Sequence, residues 1–119
     1  MIEFEMIFYE KNNGEQPIKD FLCSLDMKMR AKMFRCMDIL KKNGNELREP
    51  YTKPLGNGIF ELRAKQGSDI SRVLYFFVIG KKIILTNGYI KQTNKTPSSE
   101  LELAEKYRKD YLKRFRKEI

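Results

Sequence analysis

Residues 53–95 read KPLGNGIFELRAKQGSDISRVLYFFVIGKKIILTNGYIKQTNK and contain three strand-like segments. In residues 59–65 apolar and polar side chains alternate, which is typical of a strand with one buried face. Residues 72–79 are apolar on both faces after their first residue, which indicates a central strand. Residues 83–90 return as a third strand, so this stretch predicts the greater part of a β-sheet.

Short turns separate these segments. Gly67-Ser68-Asp69 turns the chain between the first and second strands, and Gly80-Lys81 suits a tight hairpin between the second and third. Asn87-Gly88 is placed as a β-bulge within the last strand. Because short hairpins join antiparallel neighbours, the sequence predicts an antiparallel sheet with the helices on one side.

The segment before the sheet begins with a strand and continues as two helices. Residues 2–8 alternate in polarity, which is typical of a strand with one face in the core. Residues 16–43 are predicted to form a helical hairpin. Pro17 is its first helical residue, Asp26 caps its second helix, and Asn43-Gly44 ends it.

Two further features complete the predicted order. Pro50 and Pro54 make the stretch before residue 59 irregular. A last helix begins near Thr96-Pro97, or at Ser99 with Glu102 as the partner in a capping box. The prediction is an α+β fold in the order β-α-α-β-β-β-α, with residues 1–119 as a single domain.

Composition narrows the classes of function. The chain has no histidine and two cysteines, which argues against a zinc site and excludes histidine-based acid–base chemistry. We therefore expect no metal and no cofactor. Cys23 and Cys36 are expected to be free, mostly buried thiols. The longest apolar run is far shorter than the ~20 residues of a membrane helix. The N-terminus lacks the pattern of a secretory signal, so we expect a cytoplasmic protein without a membrane partner.

The positive charge is concentrated in the predicted sheet. Residues 53–95 hold eight Lys or Arg and two acidic residues, a net charge of +6, whereas residues 1–52 hold nine of each. A cationic sheet indicates a polyanionic partner, with nucleic acid as the leading choice.

Several of these cations are predicted to meet. Pairing across the turn at 66–71 brings Arg63 near Arg72, and the next hairpin brings Lys91 beside them. Cations packed in this way repel one another unless an anion bridges them. Three interpretations stay open from the pattern alone: a solvated polar face, phosphate binding without chemistry, and catalysis.

Aromatic residues and the C-terminal helix extend this picture. Tyr75 lies inside the central strand and is expected in the core, whereas Tyr89 is placed to stack on a base or to pack. Arg114 belongs to a basic run that either contacts RNA backbone or forms a solvated helix face. We assign RNA contacts to Lys53, Lys65, Tyr89 and Arg114.

Ordered motifs in this region resemble those of a known family. They are KPLGNG at 53–58, FELR at 60–63, RVLYF at 72–76 and LTNGYIKQTNKTP at 85–97. This ordered set resembles the HigB-like branch of the RelE/ParE toxin superfamily, and the predicted element order extends the likeness to nearly the whole chain. Gln92 departs from a second lysine of the pattern, and Glu61 stands where some relatives carry a lysine.

The resemblance implies a metal-independent, ribosome-dependent mRNA endonuclease in which the RNA 2′-hydroxyl attacks the adjacent phosphate. Arg63 and Arg72 would stabilise the charge of the transition state, and Lys91 or Lys95 would orient the phosphate or protonate the leaving oxygen. The general base stays open between a lysine with a lowered pKa and Glu61.

Because Arg72 begins an otherwise apolar strand, we expect its charge to face a ligand, and we expect Arg72→Ala to abolish toxicity without loss of the fold. The resemblance also implies a helix-turn-helix antitoxin as partner, as in a heterotetramer, besides mRNA and the ribosome. Two alternatives remain: a toxin of the ParE arm that poisons DNA gyrase, and a non-catalytic RNA-binding regulatory module.

Overall fold

The computed structural model describes residues 3–91 and 96–115, except for the side chain of Lys91. Within these residues no helix combines the length and the apolar character of a membrane-spanning segment. The helices and strands, in chain order, are β1 (Glu5–Phe8), α1 (Pro17–Ser24), α2 (Met27–Asn43), β2 (Thr52–Gly56), β3 (Ile59–Gln66), β4 (Asp69–Val78), β5 (Lys82–Lys91) and α3 (Ser98–Arg114).

Five strands form one sheet in the spatial order β1-β5-β4-β3-β2. The predicted α+β class is confirmed, but the predicted order is wrong by one strand, because β2 follows Pro50 and contains Pro54. A proline without an N–H is tolerated in β2 because this strand lies at the edge of the sheet. The prediction of a purely antiparallel sheet is also wrong, since β1 pairs with β5 in parallel.

The sheet has a core on each face. Leu62, Val73 and Leu85 pack with the residues of α1 and α2, whereas the alternate residues Leu74 and Ile84 pack with those of α3. The expectation that all helices lie on one side is therefore wrong. The physical reason was visible in β4: a strand that is apolar on both faces needs cover on both faces.

Local signals set the helix ends. Pro17 is the first residue of α1, and the Asp26 carboxylate accepts a 2.8 Å hydrogen bond from the Met29 N–H at the start of α2. Gly44 ends α2 with a φ of 56°. Of the two predicted starts of the last helix, the one near Thr96-Pro97 is confirmed, because α3 begins at Ser98 directly after Pro97, and the capping box at Ser99 is wrong.

A bulge in β5 fixes the positions of α1 and α3. The register between β4 and β5 shifts between Val73 and Tyr75, which confirms the predicted bulge. The Asn87 amide there donates to the backbone oxygen of Glu100, at 3.1 Å, and to its side chain. A Cβ on Gly88 would lie 2.4 Å from the ring of Phe21, so only glycine lets α1 approach β5 this closely.

Candidate functional site

The register of the central strands gathers the predicted cations. Arg63 lies opposite Arg72 on the neighbouring strand, as expected, and Tyr89 lies opposite Arg72 on the other side. The backbone of Lys91 lies opposite Ile70. The three central strands thus bring these residues together near the end of the sheet where β5 leads into the connection to α3.

Glu61 is the centre of this cluster. Its side chain is 0% exposed, and its Oε2 accepts hydrogen bonds from the Tyr89 hydroxyl at 3.0 Å and from the Thr96 hydroxyl at 2.7 Å. A buried carboxylate needs such donors and a counter-charge to offset its loss of hydration.

Arg72 supplies that counter-charge. Its Nη1 lies 3.5 Å from Glu61 Oε2, and its side chain is 0% exposed. We expected the charge of Arg72 to face a ligand, but the structure places it in the interior, opposite a buried carboxylate. The alternation in the FELR motif places Glu61 on the polar face of its strand, so the sequence revealed neither the burial of Glu61 nor that Arg72 is its partner.

Arg63 lies at the margin of the cluster. Its Nε is 3.6 Å from Glu61 Oε1, and its side chain is 21% exposed. Glu61 Oε1 accepts no hydrogen bond among the described residues, so the contact is an ion pair at long range. Of the two arginines, Arg63 is the one that solvent and solutes can reach.

The two tyrosines are both interior. Tyr75 is 1% exposed and belongs to the core beside α1 and α2, as predicted, and its hydroxyl shares a hydrogen bond with Thr52. Tyr89 is 9% exposed, and the Arg72 guanidinium lies 5.9 Å from its ring centroid. Burial raises the pKa of Tyr89, so its phenol keeps the proton that it donates to Glu61. Of the two roles predicted for Tyr89, stacking on a base or packing, its buried position fits packing.

The other predicted residues are dispersed. Lys53 is exposed on β2 opposite Glu61, and Lys65 is exposed near the end of β3. Arg114 bonds to Asp110 and to the backbone oxygen of Glu10, which joins α3 to the segment after β1.

Some predictions lie outside the described residues. These include every statement on Lys95 and Gln92 and on the side chain of Lys91.

Cys23 and Cys36 are free thiols, as predicted, but Cys23 is exposed and Cys36 half-buried, so the expectation of mostly buried thiols is wrong. In the part of the chain that the structure describes, no three Cys, Asp or Glu side chains are grouped so that they could hold a metal ion.

Comparison with known proteins identifies the family. A family model described as phage derived protein Gp49-like (DUF891) matches residues 20–109, a range that contains Glu61, Arg63, Arg72 and Tyr89. A search of the curated proteins finds no match. The Gp49-like family is related to the toxins of toxin–antitoxin systems, and this association implies an antitoxin as partner. With most of its length matched, the chain belongs to the Gp49-like (DUF891) family.

Proposed function

We propose that this protein is the toxin of a type II toxin–antitoxin system and that it cleaves mRNA on the ribosome in the cytoplasm. The observation that carries the proposal is the accessible Arg63 guanidinium beside a buried Glu61–Arg72 pair, in a region with a net charge of +6. The family relation to toxins and the motif resemblance to the HigB-like branch, with its RelE-like fold, support it.

In the proposed reaction the 2′-hydroxyl of the RNA attacks the adjacent phosphorus and the 5′-oxygen leaves. The products are a 2′,3′-cyclic phosphate and a 5′-hydroxyl end. Arg63 stabilises the negative charge that develops on the phosphoryl oxygens. Lys91 or Lys95 orients the phosphate or protonates the leaving oxygen.

The buried members of the cluster have a positioning role in this mechanism. Arg72 holds Glu61 in place, and Glu61 in turn attracts the Arg63 guanidinium. Glu61 is a poor general base in this arrangement, because two hydroxyls already donate to its Oε2. A lysine whose pKa is lowered by neighbouring cations is therefore the better choice for the base.

The proposed partner is an antitoxin with a helix-turn-helix that forms a heterotetramer with this protein and covers or displaces its basic region. Acidic side chains would complement the charge of that region. Co-purification followed by footprinting tests this arrangement, and full exposure of Arg63 in the complex would require inhibition by another route.

Induced expression followed by 5′-end mapping of cellular mRNA tests the enzymatic proposal. We expect growth arrest with new ends inside translated messages, and loss of both with Arg63→Ala. Lys19→Ala, which removes an exposed charge from α1, should keep them. Arrest with intact transcripts and gyrase-linked DNA breaks would favour the ParE-type alternative. Arrest without either would favour the binding module.

Mapping the chemistry of the ends on purified ribosome complexes tests the mechanism. A 2′-deoxy substitution at the cut position should block cleavage, because it removes the attacking group. Ends with a 5′-phosphate and a 3′-hydroxyl would contradict the proposed attack.

A further inference from the structure

A second cationic feature lies at the edge of the sheet, next to α2. It is a cleft between α2, the segment before β2 and the end of β3, with a volume of about 490 Å³, within the roughly 300–1,000 Å³ of small-molecule sites. The residues that line it are Lys32, Arg35, Cys36, Pro50, Tyr51, Arg63, Ala64, Lys65 and Ile70.

The cleft exists because β3 extends beyond its neighbour. The last ladder pair of β2 joins Thr52 to Leu62, and only the Arg63 N–H reaches back to the Tyr51 oxygen, at 2.9 Å. Beyond that point α2 borders the open edge: Lys32 Nζ donates to the Lys65 oxygen at 2.9 Å. Since the N–H and C=O of one strand residue point to the same side, the amide of Lys65 also faces the cleft.

The charge of the cleft is of one sign. Four of its nine lining residues are Lys or Arg, and none is acidic. Arg35 and Lys65 are exposed, and among the described residues neither forms an ion pair with a carboxylate. Burial raises the pKa of the Cys36 thiol, so this group stays neutral and does not offset the cations. Such an arrangement favours an anionic ligand.

The rest of the lining is apolar and includes an accessible aromatic ring. Tyr51 is 41% exposed and lines the cleft next to Pro50. An exposed aromatic ring next to cations is the combination with which proteins bind single-stranded nucleic acid: the ring stacks on a base and the cations bind phosphate.

We infer that this cleft binds one nucleotide of single-stranded RNA, with the base against Tyr51 and a phosphate between Arg35 and Lys65. Arg63 lines the cleft and also pairs with Glu61, so a nucleotide held there lies next to the proposed site of cleavage. The cleft would then fix the path of the RNA beside that site. This inference rests on the proposal that RNA is the substrate.

Binding without ribosomes tests the inference. The probe is a fluorescein-labelled single-stranded octanucleotide RNA, and the readout is fluorescence anisotropy over a series of salt concentrations. We expect Tyr51→Ala to weaken binding about tenfold, in line with the loss of one stacked base, and Tyr51→Phe to keep it. Arg35→Ala and Lys65→Ala should each lower the salt slope by about 0.7, whereas Lys19→Ala should leave it unchanged.

Photo-crosslinking identifies the contact directly. An octanucleotide that carries 4-thiouridine should crosslink to Tyr51 or Pro50. Unchanged RNA affinity in the Tyr51 and Arg35 variants, or crosslinks only elsewhere, would overturn the inference. If the same variants lose a co-purified antitoxin while they keep RNA, the cleft is a protein-docking site and the inference is wrong. Cleavage of mRNA on ribosomes is measured separately. If RNA crosslinks to Tyr51 but no cleavage occurs, only the proposed cleavage reaction is refuted.

Discussion

Replacement of Arg72 alone should strongly destabilise the protein. Arg72 and Glu61 are both 0% exposed, and their closest charged atoms are 3.5 Å apart. Removal of one member of a buried ion pair leaves a charge without compensation, which costs about 3–5 kcal/mol of unfolding free energy. Because Arg63 and two hydroxyl donors still serve Glu61, we expect Arg72→Met to cost about 3 kcal/mol, the lower end of that range.

A double-mutant cycle separates the ion pair from simple loss of packing. Glu61→Gln keeps an oxygen that can accept from the Tyr89 and Thr96 hydroxyls but removes the charge. Neutralising both partners removes the isolated buried charge, so the double variant should be more stable than Arg72→Met alone, by about 1–2 kcal/mol. Urea unfolding followed by circular dichroism at pH 7 gives each free energy, and Lys19→Ala, a surface control, should stay within about 0.5 kcal/mol of the parent.

Two results would refute this reasoning. One is an Arg72→Met variant within about 1 kcal/mol of the parent, well below the cost of an unpaired buried charge. The other is simple additivity of the two substitutions. The structure also reverses our expectation that Arg72→Ala would keep the fold. Loss of toxicity in that variant would therefore not identify a catalytic residue unless its stability were measured as well.

Two further predictions follow from the packing. Gly88→Ala should cost about 1–3 kcal/mol, because the new Cβ would lie 2.4 Å from the Phe21 ring; thermal unfolding should show the loss, and the double variant with Phe21→Ala should not be less stable than Phe21→Ala alone. Burial raises the pKa of Tyr75 to about 12, so its contribution to stability is fully present below pH 10 and should be lost between about pH 10 and 12, at up to about 1.4 kcal/mol per pH unit. Tyr75→Phe should show a shallower decline in that range, and identical slopes would contradict the assignment.

Local sequence signals predicted most of the fold. Pro17, Asp26 and Gly44 act through their own backbone or the next turn of helix, so their roles could be read from neighbours in the sequence. The bulge at Asn87-Gly88 was also local. The strand β2 was missed because a proline argues against a strand unless that strand lies at an edge. Edge position is a property of the assembled sheet.

The site was harder to predict than the fold because its chemistry depends on partners in other strands. The predicted pairing across the turn at 66–71 placed Arg63 near Arg72, and this was confirmed. That pairing did not show that Glu61 would be buried between the Tyr89 hydroxyl of β5 and the hydroxyl of Thr96, which precedes α3. A charged residue at the start of an apolar strand has two explanations, a ligand or a buried counter-charge, and only the position of the opposite charge decides between them.

The two arginines that contact Glu61 have different roles. Arg72 is enclosed and compensates a buried carboxylate, so its charge is already used within the protein. Arg63 meets the same carboxylate only at 3.6 Å and keeps part of its side chain in contact with solvent, so an incoming phosphate can compete for it. A phosphate that attracts Arg63 would weaken its contact with Glu61, while the Tyr89 and Thr96 hydroxyls and Arg72 continue to hold Glu61 in place. The buried pair can therefore stay in place while Arg63 exchanges its contact with Glu61 for one with a phosphate.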